Sequence, residues 1–242
     1  MSRARSSWSL APRDVLRAFD GDTLRSLVAG RPVRRSVGIA GGAMVVGSLA
    51  LLSSTRLQRA DVRMGDLVRR SRSGPSDRVI AAATDLGSLY GVVGVSAALA
   101  LRGHHAIARD VATVGSAAWL LAQGGKTRVK RARPYEADGV IRLIRPPTGS
   151  SYPSGHAAVA AAMMSVVAAD GPARLRAACV GLAAFVGCSR IYVGVHYPSD
   201  VVGGTGIGLL LAAGWGVVRR LAREGGGGDA AAVDAEWAVL GA

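Results

Sequence analysis

Polar and apolar positions along this chain separate into long blocks. Ser36 to Ser54, Arg78 to Leu101, Ala106 to Gly124, Gly155 to Ala169, Ala173 to Cys188 and Val201 to Val218 are each nearly continuous apolar runs. A helix needs about 20 apolar residues to cross the hydrocarbon core of a bilayer. The pattern therefore predicts an all-α protein, an integral membrane bundle of six helices within residues 36–223. Gly and Ala fill these runs, and small residues let helices approach closely where lipid offers no hydrophobic drive between them. The fourth and fifth runs alone would also suit a buried pair in a soluble domain. The first, second and sixth decide for a membrane.

Residues 1–35 form a basic N-terminal segment in which Val15, Leu16, Phe19, Leu24, Leu27 and Val28 recur at roughly helical spacing. Two readings stand side by side: an amphipathic helix on an anionic membrane face, or a loosely ordered tail. A secretory signal is not expected, because the polar lead is long and no small-residue cleavage site follows it. The stretch Thr55 to Asp77 is basic and holds a Ser-Gly-Pro turn signal. A C-terminal tail, 224–242, opens on four glycines from Gly225 and is expected to be flexible.

Composition narrows the function classes. The 242 residues are 50% hydrophobic and 19% charged, with 30 Lys+Arg against 16 Asp+Glu, a net charge of +14. That excess suits anionic lipid or a phosphate-bearing substrate. Nucleic acid is not expected, since aromatic residues are only 5% and no zinc-finger or RNA-recognition signature is present. Cys179 and Cys188, nine residues apart on one expected helix, lie too far apart for a disulfide. Lys and Arg divide evenly between the two sides of a six-span layout, so charge bias does not by itself orient the chain. Reserving Lys126, Arg133 and Arg190 for substrate tilts the count toward a cluster facing outward.

Three polar elements carry the candidate chemistry, and the span count places all of them at one membrane face. The first is Lys126 with Arg133-Pro134. Seven residues is close to two helical turns, so the two cations would share a face of a helix, although Pro134 disfavours helix at Arg133. Arg offers a bidentate fork to a phosphate and Lys a point charge. The second is Pro153-Ser154-Gly155-His156, at the start of the fourth run. A helix start is an anion site; Gly155 admits close approach, Ser154 can cap or donate, and His156 can give or take a proton. The third is Ser189-Arg190 with His196 and Asp200. A carboxylate four residues from an imidazole can fix its tautomer and leave Nε2 free as a nucleophile. Plainer alternatives remain at each: a solvated basic loop, an ordinary helix cap, and a turn followed by Asp200 as the cap of the sixth run. His104 and His105 fall on the opposite face and are read as loop residues. Asp85 and Asp110 sit inside expected spans; Asp110 can reach the interface, and Asp85 either pairs with an Arg or marks a span that begins later.

These three elements, in order and with their internal spacing intact, resemble the type-2 phosphatidic acid phosphatase superfamily, which also includes bacterial acid phosphatases and vanadium haloperoxidases. Thr84-Asp85-Leu86-Gly87 resembles membrane members weakly. The six-span layout is similar to the membrane lipid phosphatase branch. The resemblance implies that His196 attacks phosphorus and forms a phosphohistidine, that Asp200 orients it, and that His156 protonates the leaving oxygen and then activates water. It further implies that Lys126, Arg133, Ser154, Gly155 and Arg190 bind the phosphoryl oxygens. Three cations and a helix start can do the work of a metal, so no cofactor and no metal are expected. The expected substrate is a phosphorylated lipid: polyprenyl phosphate or diphosphate, phosphatidate, or phosphatidylglycerol phosphate. The bias to Arg, Ala and Gly suggests a GC-rich bacterium, hence a plasma membrane and a polyprenyl diphosphate or polyprenyl-sugar phosphate as substrate, with the cluster outward by the Lys and Arg count. The alternatives are a phosphotransferase, a vanadate-dependent haloperoxidase, or a non-catalytic anionic-lipid-binding membrane protein.

Overall fold

A computed structural model describes residues 35–169 and 171–224. All of the N-terminal segment except Arg35, and the tail from Gly225, lie outside the described residues, so neither reading of residues 1–35 is addressed. The described chain is helical, with no strand: α1 (Arg35–Leu52), α2 (Thr55–Arg69), α3 (Gly74–Ala83), a 3-10 helix (Thr84–Gly87), α4 (Leu89–Leu101), α5 (His105–Arg128), α6 (Pro134–Ala137), α7 (Gly155–Val167), α8 (Ala173–Tyr192) and α9 (Pro198–Glu224).

The six expected spans map onto α1, the α3–α4 pair, α5, α7, α8 and α9. Among the described residues, α1, α8 and the Pro198–Leu221 part of α9 are long and apolar enough to cross a membrane alone. The second expected span is not one rod. Gly74–Gly87 and Leu89–Leu101 meet at 72°. Ser88 is the cause: its side chain accepts from the Tyr90 and Gly91 N–H groups and starts a new helix there. Most of the basic stretch Thr55 to Asp77 is helix α2. Its Asp61, Gly65 and Arg69 are buried at four-residue spacing, while Arg56, Arg59 and Arg63 are exposed beside Leu57, Met64 and Leu67. One face thus meets the bundle, and the rest has the mixed apolar and basic make-up of an interfacial helix.

The short helix α7 is the centre of the packing. Ala157, Ala158, Val159, Ala160, Ala161, Ala162 and Met163 are all buried, so it is covered on every side. It packs against α5, α8 and α9. Helix α9 is the second axis, packed on α1 and α7, and its glycines make that possible. A Cβ on Gly206 would lie 2.9 Å from Val45 Cγ2 and 3.0 Å from Met44 Cβ, and one on Gly208 would lie 2.9 Å from Ala161 Cβ. Outside this core, Ile39, Val46, Val93, Leu101, Leu120, Val180 and Val217 are exposed, a surface suited to lipid tails.

Asp110 does not reach the interface. It is fully buried, accepting from Arg219 Nη1 at 2.8 Å and Trp215 Nε1 at 2.9 Å, which ties α5 to α9 far from the polar face. Cys179 and Cys188 are both free. The glycine contact yields a stability prediction: Gly206→Leu overpacks the α1–α9 seam and lowers stability by about 1–3 kcal/mol, seen as a lower Tm in detergent.

Candidate active site

Four helix ends meet at one end of the bundle: the C-termini of α5 and α8 and the N-termini of α7 and α9. Together they carry the three polar elements, the third running from the end of α8 into the start of α9. Lys126 sits in the last turn of α5, beyond the apolar run. Arg133 does not continue that helix. α5 stops at Arg128, and Arg133 is extended, as residues before proline tend to be, with Pro134 starting the single turn α6. The shared helical face expected for Lys126 and Arg133 is therefore absent; a chain reversal brings them together instead.

Arg133 is fully buried, and its guanidinium is occupied. Nε donates to the Gly149 carbonyl at 3.0 Å, Nη1 to Val195 at 2.9 Å, and Nη2 to Thr148 and Ser150 at 3.2 Å each. Nη1 also lies 3.5 Å from His196 Nε2. Arg133 thus shapes the loop around the imidazole as well as charging it. Arg190 is buried at the end of α8, with Nη1 donating to Thr84 Oγ1 at 2.9 Å and a buried Nε that has no hydrogen-bond partner among the described residues. Thr84 Oγ1 also bonds Ser189 Oγ at 2.8 Å.

His156 is the second residue of α7. Ser154 caps the helix, its hydroxyl accepting from the Ala157 N–H at 3.5 Å, while the Ser154 N–H donates to the Asp200 carbonyl at 3.0 Å. The second and third elements are thereby joined through backbone. His156 lies within electrostatic reach of Arg190, His196, Lys126 and Arg133. Asp85 approaches it from the 3-10 helix, Oδ1 lying 3.8 Å from His156 Nε2. Gly87 allows that approach, since a Cβ there would meet the His156 carbonyl.

His196 follows α8 in the loop and is 2% exposed. Its Nδ1 faces Asp200 Oδ2 at 3.6 Å, a separation longer than a hydrogen bond. Asp200 accepts from the Tyr197 N–H at 2.8 Å and from Ser151 Oγ at 2.5 Å through Oδ2, and from Arg131 Nη1 at 2.6 Å through Oδ1. Asp200 is therefore not the cap of α9 but its third residue, its side chain accepting the Tyr197 N–H, and it faces the imidazole without a hydrogen bond to it.

All eight residues singled out in the sequence lie at this end of the bundle. Five partners were missed there. Asp85 and Thr84 belong to the weakly resembling Thr84-Asp85-Leu86-Gly87, which the pattern places inside the second span. Asp61, Ser151 and Arg131 carried no spacing signal, because their partners are far away in sequence. Among the described residues, no group of three His, Cys, Asp or Glu side chains is placed to hold a metal ion.

Residues 106–223 match the PAP2 superfamily model. Over that range the chain belongs to the PAP2 superfamily. Among similar proteins, lipid A 1-phosphatase of Rhizobium etli is 37% identical over 94 residues, 37% of this chain and 40% of that protein. Undecaprenyl-diphosphatase of Sulfolobus acidocaldarius is 34% identical over 86 residues, 35% of this chain and 42% of the relative. The matched segments thus span about two fifths of these relatives. Two crystal structures share the fold at 23% identity. A transmembrane PAP2-type phosphatidylglycerolphosphate phosphatase from Bacillus subtilis has a TM-score of 0.61, covering 76% of this chain and 96% of that one. Aquifex aeolicus LpxE has a TM-score of 0.57, covering 66% and 94%. With its apolar helices, this PAP2 chain is an integral membrane protein.

Electrostatics give the PAP2 site a titration signature. Burial pushes His196 down to about 4; Asp200 pulls it up, and Arg133 and Arg190 push it further down. The folded state resists a proton that the unfolded chain accepts near the ordinary histidine value of about 6.5. The stability this contributes is complete above that value and is lost as pH falls toward 4. The Tm in detergent is expected to fall over this window, and His196→Gln to flatten the fall.

Proposed function

We propose that this protein is a membrane lipid phosphatase that hydrolyses a phosphomonoester or diphosphate on a lipid through a phosphohistidine. One observation carries the reading: Lys126, Arg133, Arg190, His156 and His196, from four separate parts of the chain, meet within electrostatic reach at one end of an apolar bundle. Such a set suits one tetrahedral anion, and phosphoryl transfer asks chiefly for positioning and charge stabilisation.

In the proposed reaction, the lone pair of His196 Nε2 attacks phosphorus as the bond to the lipid-side oxygen breaks. The departing oxygen takes a proton from His156, which the dianionic substrate helps to hold there amid its positive neighbours. Asp200 faces Nδ1 and stabilises the charge the imidazole gains. Water, giving its proton to His156, then attacks the phosphohistidine; the P–N bond breaks, and phosphate leaves. Lys126, Arg190, Ser154 and the Gly155 N–H hold the phosphoryl oxygens, and Arg133, its donors spent on loop carbonyls, adds positive charge beside them. No step calls for a metal.

The lipid character of the substrate is supported by a site at the end of membrane-type helices and by the names of the relatives. Polyprenyl phosphate or diphosphate, phosphatidate and phosphatidylglycerol phosphate share the required chemistry. We place the site on the outer face of a bacterial plasma membrane, with the even split of Lys and Arg tipped by the three cations kept for substrate.

Two measurements test this. Phosphate release from that lipid panel in detergent is expected to continue in chelator and to fall by about 10³-fold or more in His196→Ala and His156→Ala; full activity in His196→Ala would overturn the reading. Burial, Arg133 and Arg190 push Lys126 down to about 8. Above that pH it loses its charge, so KM is expected to rise by roughly tenfold per unit, and Lys126→Arg to abolish the rise.

A further inference from the structure

Beneath the histidines lies a second set of charges that the proposed reaction does not use. Arg131 is mostly buried, with 14% of its side chain exposed, between the end of α5 and the Arg133 loop. Its Nη1 donates to Asp200 Oδ1 at 2.6 Å and to Ser199 Oγ at 2.7 Å. Its Nη2 donates to Asp61 Oδ2 at 2.8 Å. The guanidinium lies 3.8 Å above the centre of the Tyr197 ring. Asp61, 4% exposed, closes the circuit by accepting from the Ser199 N–H at 2.9 Å and from Ser199 Oγ at 2.5 Å. The Ser151 N–H donates to the Arg131 carbonyl at 2.8 Å, and Ser151 Oγ donates to Asp200 Oδ2 at 2.5 Å.

We infer that Arg131, held by Asp61 of α2, is a positioning residue that sets the orientation and effective charge of Asp200 and so controls the basicity of the His196 imidazole. Asp200 has two oxygens with different duties. Oδ2 faces His196, and Oδ1 is gripped by Arg131. A guanidinium bridging two carboxylates, one through each Nη, and stacked on an aromatic face cannot swing, so Asp200, held through Oδ1, cannot rotate away from the imidazole. The guanidinium also balances much of the carboxylate's charge, so the imidazole faces a tempered anion and stays neutral, as a nucleophile must. Lysine cannot supply this fork, and Arg131 is a different group from Arg133, which spends its donors on loop carbonyls. The arrangement also makes α2 part of the machinery, because Asp61 is the contact through which that interfacial helix reaches the site.

The inference rests on the phosphatase reading for its activity test but not for its titration test. His196 is faced by Asp200 of α9, Arg133 of the loop, Arg190 of α8 and His156 of α7, which is flanked by Lys126 of α5 and Asp85 of the 3-10 helix. None of these changes in Arg131→Met or Asp61→Asn. Without the guanidinium, Asp200 confronts the imidazole with its full charge, so His196 takes up a proton at higher pH. In Arg131→Met, kcat is expected to fall by about 10²-fold with KM little changed, and the acid limb of kcat/KM to move up by about one pH unit. Asp61→Asn is expected to shift the limb the same way by less, and Arg131→Lys to recover the limb but not kcat. Independently of turnover, 15N NMR of histidine-labelled protein in detergent, with His196 assigned through His196→Gln, is expected to show His196 titrating at higher pH in Arg131→Met. Should Arg131→Met fail to fold, Asp61→Asn carries the test, with a smaller shift of the acid limb and of the His196 titration in the same direction. A loss of kcat with an unmoved acid limb and unmoved titration would make Arg131 a packing residue and overturn the inference. A wild-type chain inactive on every lipid would instead count against the phosphatase reading, and the titration would still decide the role of Arg131.

Discussion

The site depends on one buried carboxylate. Asp200 has no solvent exposure, and a bare charge in that position would be costly unless surrounded by donors. It has them: the Arg131 guanidinium, the Ser151 hydroxyl and the Tyr197 N–H, with the His196 ring facing it. Each donor comes from a different place, so satisfying Asp200 fixes the loop after α5, the loop before α7 and the start of α9 relative to one another. The Ser154 N–H on the Asp200 carbonyl adds the first turn of α7. The desolvation that makes the carboxylate costly is also what gives its contacts their strength.

That polar cluster needs a frame that brings helix ends within a few ångströms, and alanine and glycine build it. Helix α7 offers an almost unbroken alanine surface, and α9 meets it with Gly204 and Gly208 while Gly206 faces α1. Large side chains at these positions would hold the axes apart, and the groups at the helix ends would part with them. At the other end, the buried Asp110–Arg219 pair ties α5 to α9, so the frame is pinned by charge at both ends and by close contact between.

The bend between α3 and α4 shows how local chemistry redirects a segment that composition alone reads as one span. Ser88 captures two N–H groups and begins a new helix, leaving Thr84 and Asp85 at the polar end instead of within the apolar layer. Thr84 then braces Arg190, and Asp85 comes up to His156. Hydropathy averaged over the whole stretch does not register this, because the strongly apolar α4 carries the more polar α3 side with it.

The sequence alone determined the helical class, the apolar blocks and the eight residues at the polar end, because each of these is written in local spacing: runs long enough for a membrane, a serine before a helix start, a carboxylate four residues from a histidine. It did not determine that Arg133 turns inward onto carbonyls, that Thr55–Arg69 is a helix with an inward carboxylate, or that Arg131, Asp61 and Ser151 surround Asp200. Asp61 and Arg131 stand 70 positions apart, and Ser151 and Asp200 stand 49 apart. Contacts at such separations have no period and no motif. They arise only when helices pack, since burial leaves each charge no water and obliges it to find whichever partner the fold has carried alongside.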